Sequence, residues 1–513
     1  MDEKNKEITT ENTQESTIFS KPEIQDKKAK KAKKKLSPIK IIIILISLVL
    51  ILCGAIFGFW FATKDSDDTS SGTTVNTILV FDNETINIKK VNIKNKNGNL
   101  EFNAAKVDTE DGKMDSFLLK GYDASLIADS YITSIVDKIA SLEALRKMDG
   151  DGDYGFDKPN AIINVTGKNG LKDYSFKIGD ISPDGTGYYL KVDKSDKIYL
   201  IAVSVAELFL SSVEDLSNNM LVVPPQEGEV SDEYFSDEGV LDYVDYIKVS
   251  GKSYKQPIII KHINNDLATY RMTSPYNRYA DKEVVTGYTE LITSGVVANG
   301  CYKINPKKSD FKKYGLDNPD AVIEILYDDQ KLKITAKKQD KENFAVIIND
   351  LDAIYQLTSE TLKMLDYKAL DLVNDYCFLE AFEDFENITF NDNGKKYSFD
   401  IKYNEDDNTT EETLNGKKID DDLFRAYFEY YLYIKPEILS SYNKNQKAIF
   451  TATFNFANSK KDAIKIEFIR HNARQYIVKI NGNIEGVISY TYFENIKTYL
   501  QNVINKKGIP SVL

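Results

Sequence analysis

Asp149-Gly150-Asp151-Gly152-Asp153 sets three carboxylates at alternate positions, the pattern of the first half of a calcium-binding loop. The EF-hand form of that loop needs Gly at its sixth position and Glu at its twelfth, where this chain has Tyr154 and Asn160. A solvated turn is the leading reading. Asp149, Asp151 and Asp153 remain the only metal candidates, for a weak calcium site of another kind. The run GDISPDGTG at Gly179–Gly187 lacks the GK[ST] ending and following helix of a phosphate loop, so it reads as a hairpin loop. With two histidines (His262 and His471), three cysteines (Cys53, Cys301 and Cys377) and no CxxC or HxxxH spacing, the chain is poor in zinc and nucleophile chemistry. Cys301 and Cys377 are expected as buried thiols, with a disulfide between them as the alternative. No nucleophile elbow or dinucleotide motif occurs. Carboxylates are abundant, and abundance alone does not define a hydrolase. No catalytic residue and no cofactor is expected.

The elements around these residues are more informative. YGFDKP at Tyr154–Pro159 recurs as YGLDNP at Tyr314–Pro319, followed by AIINV and AVIEI. In each hexapeptide the Gly (Gly155, Gly315) supplies backbone freedom and the Asp (Asp157, Asp317) favours a turn. The Pro (Pro159, Pro319) pushes its predecessor into extended conformation. In the strands that follow, positions one, three and five share an apolar face, and Asn164 or Glu324 points the other way. The hexapeptides, with Tyr154 and Tyr314 at their heads, therefore read as structural motifs that lead into a strand.

Three related units follow from this repetition. Each opens with a hairpin, at INIKKVNIKNKNGNLEFNA, DYIKVSGKSYKQPIIIKH and FENITFNDNGKKYSFDI, with Asn97-Gly98 and Asn393-Gly394 as turn dipeptides. An amphipathic helix comes next: Ile127, Tyr131, Ile135, Ile139, Leu142 and Leu145 in the first unit; Val285, Tyr288, Ile292 and Val296 in the second; Leu423, Tyr427, Tyr430 and Ile434 in the third. Each unit closes with a strand and a helix, for which Ser204-x-x-Glu207 and Thr491-x-x-Glu494 fit capping boxes. The third unit lacks the hexapeptide and reads as degenerate. The expected fold class is α+β, with units at 78–222, 241–378 and 381–507. Most of the 32 tyrosines fall at stripe or strand positions, which leaves wall-glycan stacking as a secondary use.

Ahead of the units, Ile41–Ala62 runs 22 residues without a charge, roughly 33 Å as a helix. Nine lysines lie between Lys21 and Lys40, and Asp65, Asp67 and Asp68 follow the run. This pattern predicts a cytoplasmic lysine-rich tail (1–40), a single uncleaved span in the lipid bilayer (41–62), a linker (63–77) and a C-terminal part outside the cell membrane. Residues 1–40 carry +4, which leaves −17 after the span in a chain of net −13. An acidic exterior disfavours nucleic acid as a partner.

The motif YG[FL]D[KN]P, the later GYYLKVD…DKIYL and the closing helix resemble the bacterial domain-of-unknown-function family 4340, over most of residues 78–375 and more weakly over 381–505. Members are typically membrane-anchored, and many are encoded with ABC-type exporters of the gliding-motility or auxiliary-transport kind. The resemblance implies a non-catalytic extracytoplasmic accessory subunit whose partners are an ABC permease and its ATPase. It carries no functional residues over. Two alternatives come from other classes: a cell-envelope module that binds wall polymer or substrate, and an envelope hydrolase built on two carboxylates.

Overall fold

The computed structural model describes residues 77–511, except 110–111, 149–151, 227, 237–240, 266, 405–408 and 443–445. Three large sheets succeed one another along the chain, of eight, nine and eight strands, with two small two-stranded sheets beside the first two. In the first, the order across the sheet is 112–119, 98–109, 88–95, 161–167, 174–181, 187–192, 198–202 and 146–148. The second and third repeat the plan. A meander runs outward from the unit's first strand. A second meander, entered after a helix, runs the other way from the same strand.

The seam of each sheet is therefore the pair formed by the first strand of the opening hairpin and the first strand of the second meander: Ile88–Asn95 with Ala161–Gly167, Tyr246–Ser250 with Ala321–Tyr327, and Phe385–Asp392 with Ala448–Phe456. Alternation dictates what meets there. Val91 and Ile93 face Val165 and Ile163, Ile247 and Val249 face Ile325 and Ile323, and Ile388 and Phe390 face Phe454 and Ala452. All of these side chains are buried. Helices α1 (Asp129–Ala140), α3 (Lys282–Thr293) and α5 (Asp421–Leu432) supply the apolar stripes that join the same cores. Units one and three close with α2 (Val203–Leu210) and α6 (Tyr490–Ile504). The remaining helix, α4 (Lys308–Lys313), leads into the second hexapeptide.

The expectation of α+β units behind a membrane helix is corrected to a mainly β fold. Strands take 44% of the described residues and helix 20%, and every sheet is antiparallel. Three physical causes separate expectation from structure. The hairpins continue into further strands, Gly112–Leu119, Tyr270–Ser274 and Thr409–Leu414, whose mixed polarity hides them. The first helical stripe does not stay in one element: Leu142 is buried from the strand Ser141–Ala144, and Tyr131 on α1 is 41% exposed. The second unit's closing helix is a single 3-10 turn, Lys363–Asp366. Both capping boxes also fall short. α2 begins at Val203 without a side-chain cap, and the N-cap of α6 is Ser489, whose hydroxyl accepts the Tyr492 N–H at 3.1 Å.

Among the described residues no helix is long and apolar enough to cross a membrane. The run Ile41–Ala62 lies outside the described residues, as do the lysine-rich tail and almost all of the linker.

Candidate functional site

The hexapeptides cover the outer face of their sheets. Leu316 is buried with Ala345 and Ile354, and Tyr302, Phe311 and Tyr314 pack around them, apart from the main core. Tyr314 stacks on Tyr302 with ring centroids 4.9 Å apart. In the first unit Tyr154 meets the edge of Tyr189 at 4.6 Å and lies 6.2 Å from Phe156. Gly155 and Gly315 hold φ of +77° and +69°, which favours glycine. Gly179 lets the first hexapeptide lie flat on the sheet, because a Cβ there would stand 2.0 Å from the Tyr154 carbonyl oxygen. Asp157 and Asp317 are exposed, and Pro159 and Pro319 are half-buried at the start of the following strand.

Asp149 and Asp151 of the calcium candidate lie outside the described residues. Asp153 is exposed, and its Oδ1 accepts the Gly155 N–H at 3.1 Å, which ties it to the turn. Among the described residues no group of three or more His, Cys, Asp and Glu is placed to hold a metal. Gly179–Gly187 forms a hairpin turn in which Asp184 accepts hydrogen bonds from Ser182 and Thr186. Those bonds hold its carboxyl down at about 2. His262 stacks on Tyr243 at 3.8 Å, and burial lowers its pKa. Cys301 and Cys377 are free thiols; burial pushes the first up to about 11 and the second well above its usual range.

The fold assembles three features with no periodic signal in the sequence. The first is the junction between units two and three. Arg278, on the short edge strand Arg278–Tyr279, lies with its Nε 3.3 Å from Oε2 of Glu485, on the edge strand Asn483–Ser489. Its Nη2 donates to the carbonyls of Asn374 and Asp375, and its Nη1 to the backbone carbonyl of Glu485 at 3.5 Å. Beside it the Tyr279 hydroxyl donates to Glu380 at 2.6 Å, and Asn265 donates to the other Glu380 oxygen at 2.9 Å. The junction of units one and two is mainly apolar: Met220–Val222 pairs with Val296–Val297 and one core runs through both units, with a Lys303–Glu214 ion pair at 2.9 Å also crossing it.

The second is an acid pair in unit three. Glu412 is fully buried on the strand Thr409–Leu414, and its backbone N–H reaches Asp421 at 3.5 Å. Thr410 donates to its Oε1, and Arg425 bridges Thr410 and Glu383. Burial, then the neighbouring Asp421, pushes the Glu412 carboxyl up to about 7. Two carboxylates are thus brought together, but one is sealed from solvent.

The third is a cleft of about 450 Å³ in unit two, lined by the hairpin loop Ser253–Gln256, Pro275 and the segment Leu365–Ala369. Its origin lies in the missing helix. In unit one the end of α2 sits on the first hairpin turn, where Asn95 donates to the carbonyls of Phe209 and Ser211 and Asn97 to that of Leu210. In unit three α6 reaches the same hairpin through Gln501, which donates to the Tyr397 hydroxyl at 3.0 Å. In unit two one 3-10 turn replaces the helix, and the cleft lies between it and the hairpin.

The family model described as Domain of unknown function (DUF4340) matches residues 118–232 and 271–438, together more than half of the chain. The first matched stretch lies mostly in unit one, and the second runs from unit two into unit three. No curated protein and no solved structure is similar enough to match.

Proposed function

The chain belongs to this family, and we propose that it is a membrane-anchored extracytoplasmic scaffold, a non-catalytic accessory partner of an ABC-type transport complex. The observation that carries the reading is the linkage between units. A scaffold must hold separate surfaces at fixed spacing, and here neighbouring units share either a continuous apolar core or a buried ion pair with its hydrogen bonds. Such contacts resist hinge motion more than a solvated linker does. The anchor rests on the charge-free run Ile41–Ala62 and the lysines before it. The transporter rests on the family resemblance.

The test is in-cell crosslinking of the tagged full-length chain, with mass spectrometry of what co-purifies from membranes. The expected result is an ABC permease with its ATPase, lost when residues 78–513 are deleted. Recovery of wall material alone, with an exporter present but unlinked, contradicts the reading.

A further inference from the structure

We propose that the cleft of unit two binds a pyranose sugar that carries an anionic group. This inference does not depend on a transporter being the partner. At about 450 Å³ the cleft falls within the roughly 300–1,000 Å³ of small-molecule sites. Its wall combines Tyr254, half-buried against the core, with Tyr367, 40% exposed, and with Pro275 and Leu365. Aromatic faces beside aliphatic groups suit the C–H face of a sugar ring, and phenol hydroxyls suit its polar edge.

Charge decides the rest. Lys255 and Lys368 both line the cleft, and neither has an ion-pair partner among the described residues. Some other lysines of the unit are matched, Lys248 and Lys331 with Glu324 and Lys337 with Asp320, whereas Lys255 and Lys368 keep their charge free on the cleft wall. In a region of net charge −17, two unmatched lysines on one concave wall are complementary to an anion. The lining also holds Asp366 and Gln256, acceptors and donors for ring hydroxyls. Asp366 is close enough to Tyr254 to help burial push that phenol up to about 12. The phenol therefore stays a hydrogen-bond donor at every working pH.

Two sources share this chemistry, a phosphate ester and a carboxylate. Titration calorimetry of the full-length chain distinguishes them, with N-acetylglucosamine 1-phosphate in one arm and glucuronate in the other. Neutral N-acetylglucosamine and inorganic phosphate serve as references. At least one anionic sugar is expected to bind more tightly than both references. Tyr367→Ala, and separately the pair Lys255→Glu with Lys368→Glu, should each weaken it by about tenfold or more. All three side chains are exposed, so unfolding midpoints should not move. Absence of binding by either anionic sugar up to about 10 mM overturns the proposal. So does binding that survives the substitutions, or binding no tighter than that of a reference.

Discussion

The guanidinium of Arg278 and the carboxylate of Glu485 lie 3.3 Å apart, 6% and 3% exposed, and belong to different repeated units. The contact is one of charge, since Arg278 Nε has no acceptor in hydrogen-bond geometry. Burial pushes Glu485 up to about 7, and Arg278 pulls it back only in part. Removing one member of a buried pair strands the other. Arg278→Leu should therefore destabilise the chain by about 3–5 kcal/mol, and Arg278→Leu with Glu485→Leu by clearly less. Urea unfolding followed by circular dichroism checks the order; a double variant worse than the single one contradicts it.

Glu412 sets a pH dependence. Its folded pKa of about 7 stands above the unfolded value of 4.5. The folded state then holds the extra proton between these values, so stability falls as pH rises from about 4.5 to 7 and is level beyond. Glu485 acts in the same direction. Glu412→Gln should leave stability at pH 5 nearly unchanged and raise it at pH 8 by at most roughly 3 kcal/mol. Denaturation midpoints at the two pH values decide, and equal effects at both refute the assignment.

Glu324 works in the opposite sense and lower down. Hydrogen bonds from Lys248 and Lys331 hold its carboxyl at about 2, below its usual 4.5. That stability is present above pH 4.5 and lost as pH falls toward 2. Glu324→Gln should flatten the acid limb of the unfolding curve and leave the limb between pH 5 and 8 alone.

Three glycines should rank by what a methyl group would meet. Gly179→Ala drives a Cβ into a backbone carbonyl and should cost about 3 kcal/mol or more. Gly155→Ala combines positive φ with the Asp180 carboxyl 2.4 Å away, for about 1–3 kcal/mol. Gly315→Ala meets only the flexible Lys337 stem at 3.1 Å and should cost about 1 kcal/mol. Thermal unfolding of the three variants gives the order.

Local signals in the sequence marked what local physics decides. Asn393 and Gly394 take φ of 49° and 96°, as a tight hairpin turn demands, and the strands after each hexapeptide bury alternate residues. The third unit, despite losing its hexapeptide, keeps the same strand order. Its counterpart to the last edge strand shrinks to the bridge between Glu437 and Val487. What stayed hidden depends on distant partners. TSETLKMLDYKALDL has helical composition. The Tyr288 hydroxyl donates to the Met364 carbonyl, Asp371 accepts the Lys368 N–H, and the helix stops after one turn. The cleft exists because of that stop. Arg278 and Glu485 are 207 residues apart, and nothing near either announces the other.

The most direct test of an extracytoplasmic scaffold is the side of the membrane on which its units lie. Met114 is 57% exposed, Cys377 is a buried thiol and Cys301 a half-buried one, so a Met114→Cys chain with Cys53→Ser and Cys301→Ser presents one reactive site. A membrane-impermeant maleimide applied to intact cells should label it as fully as in lysed cells. Labelling that appears only after lysis would contradict the account.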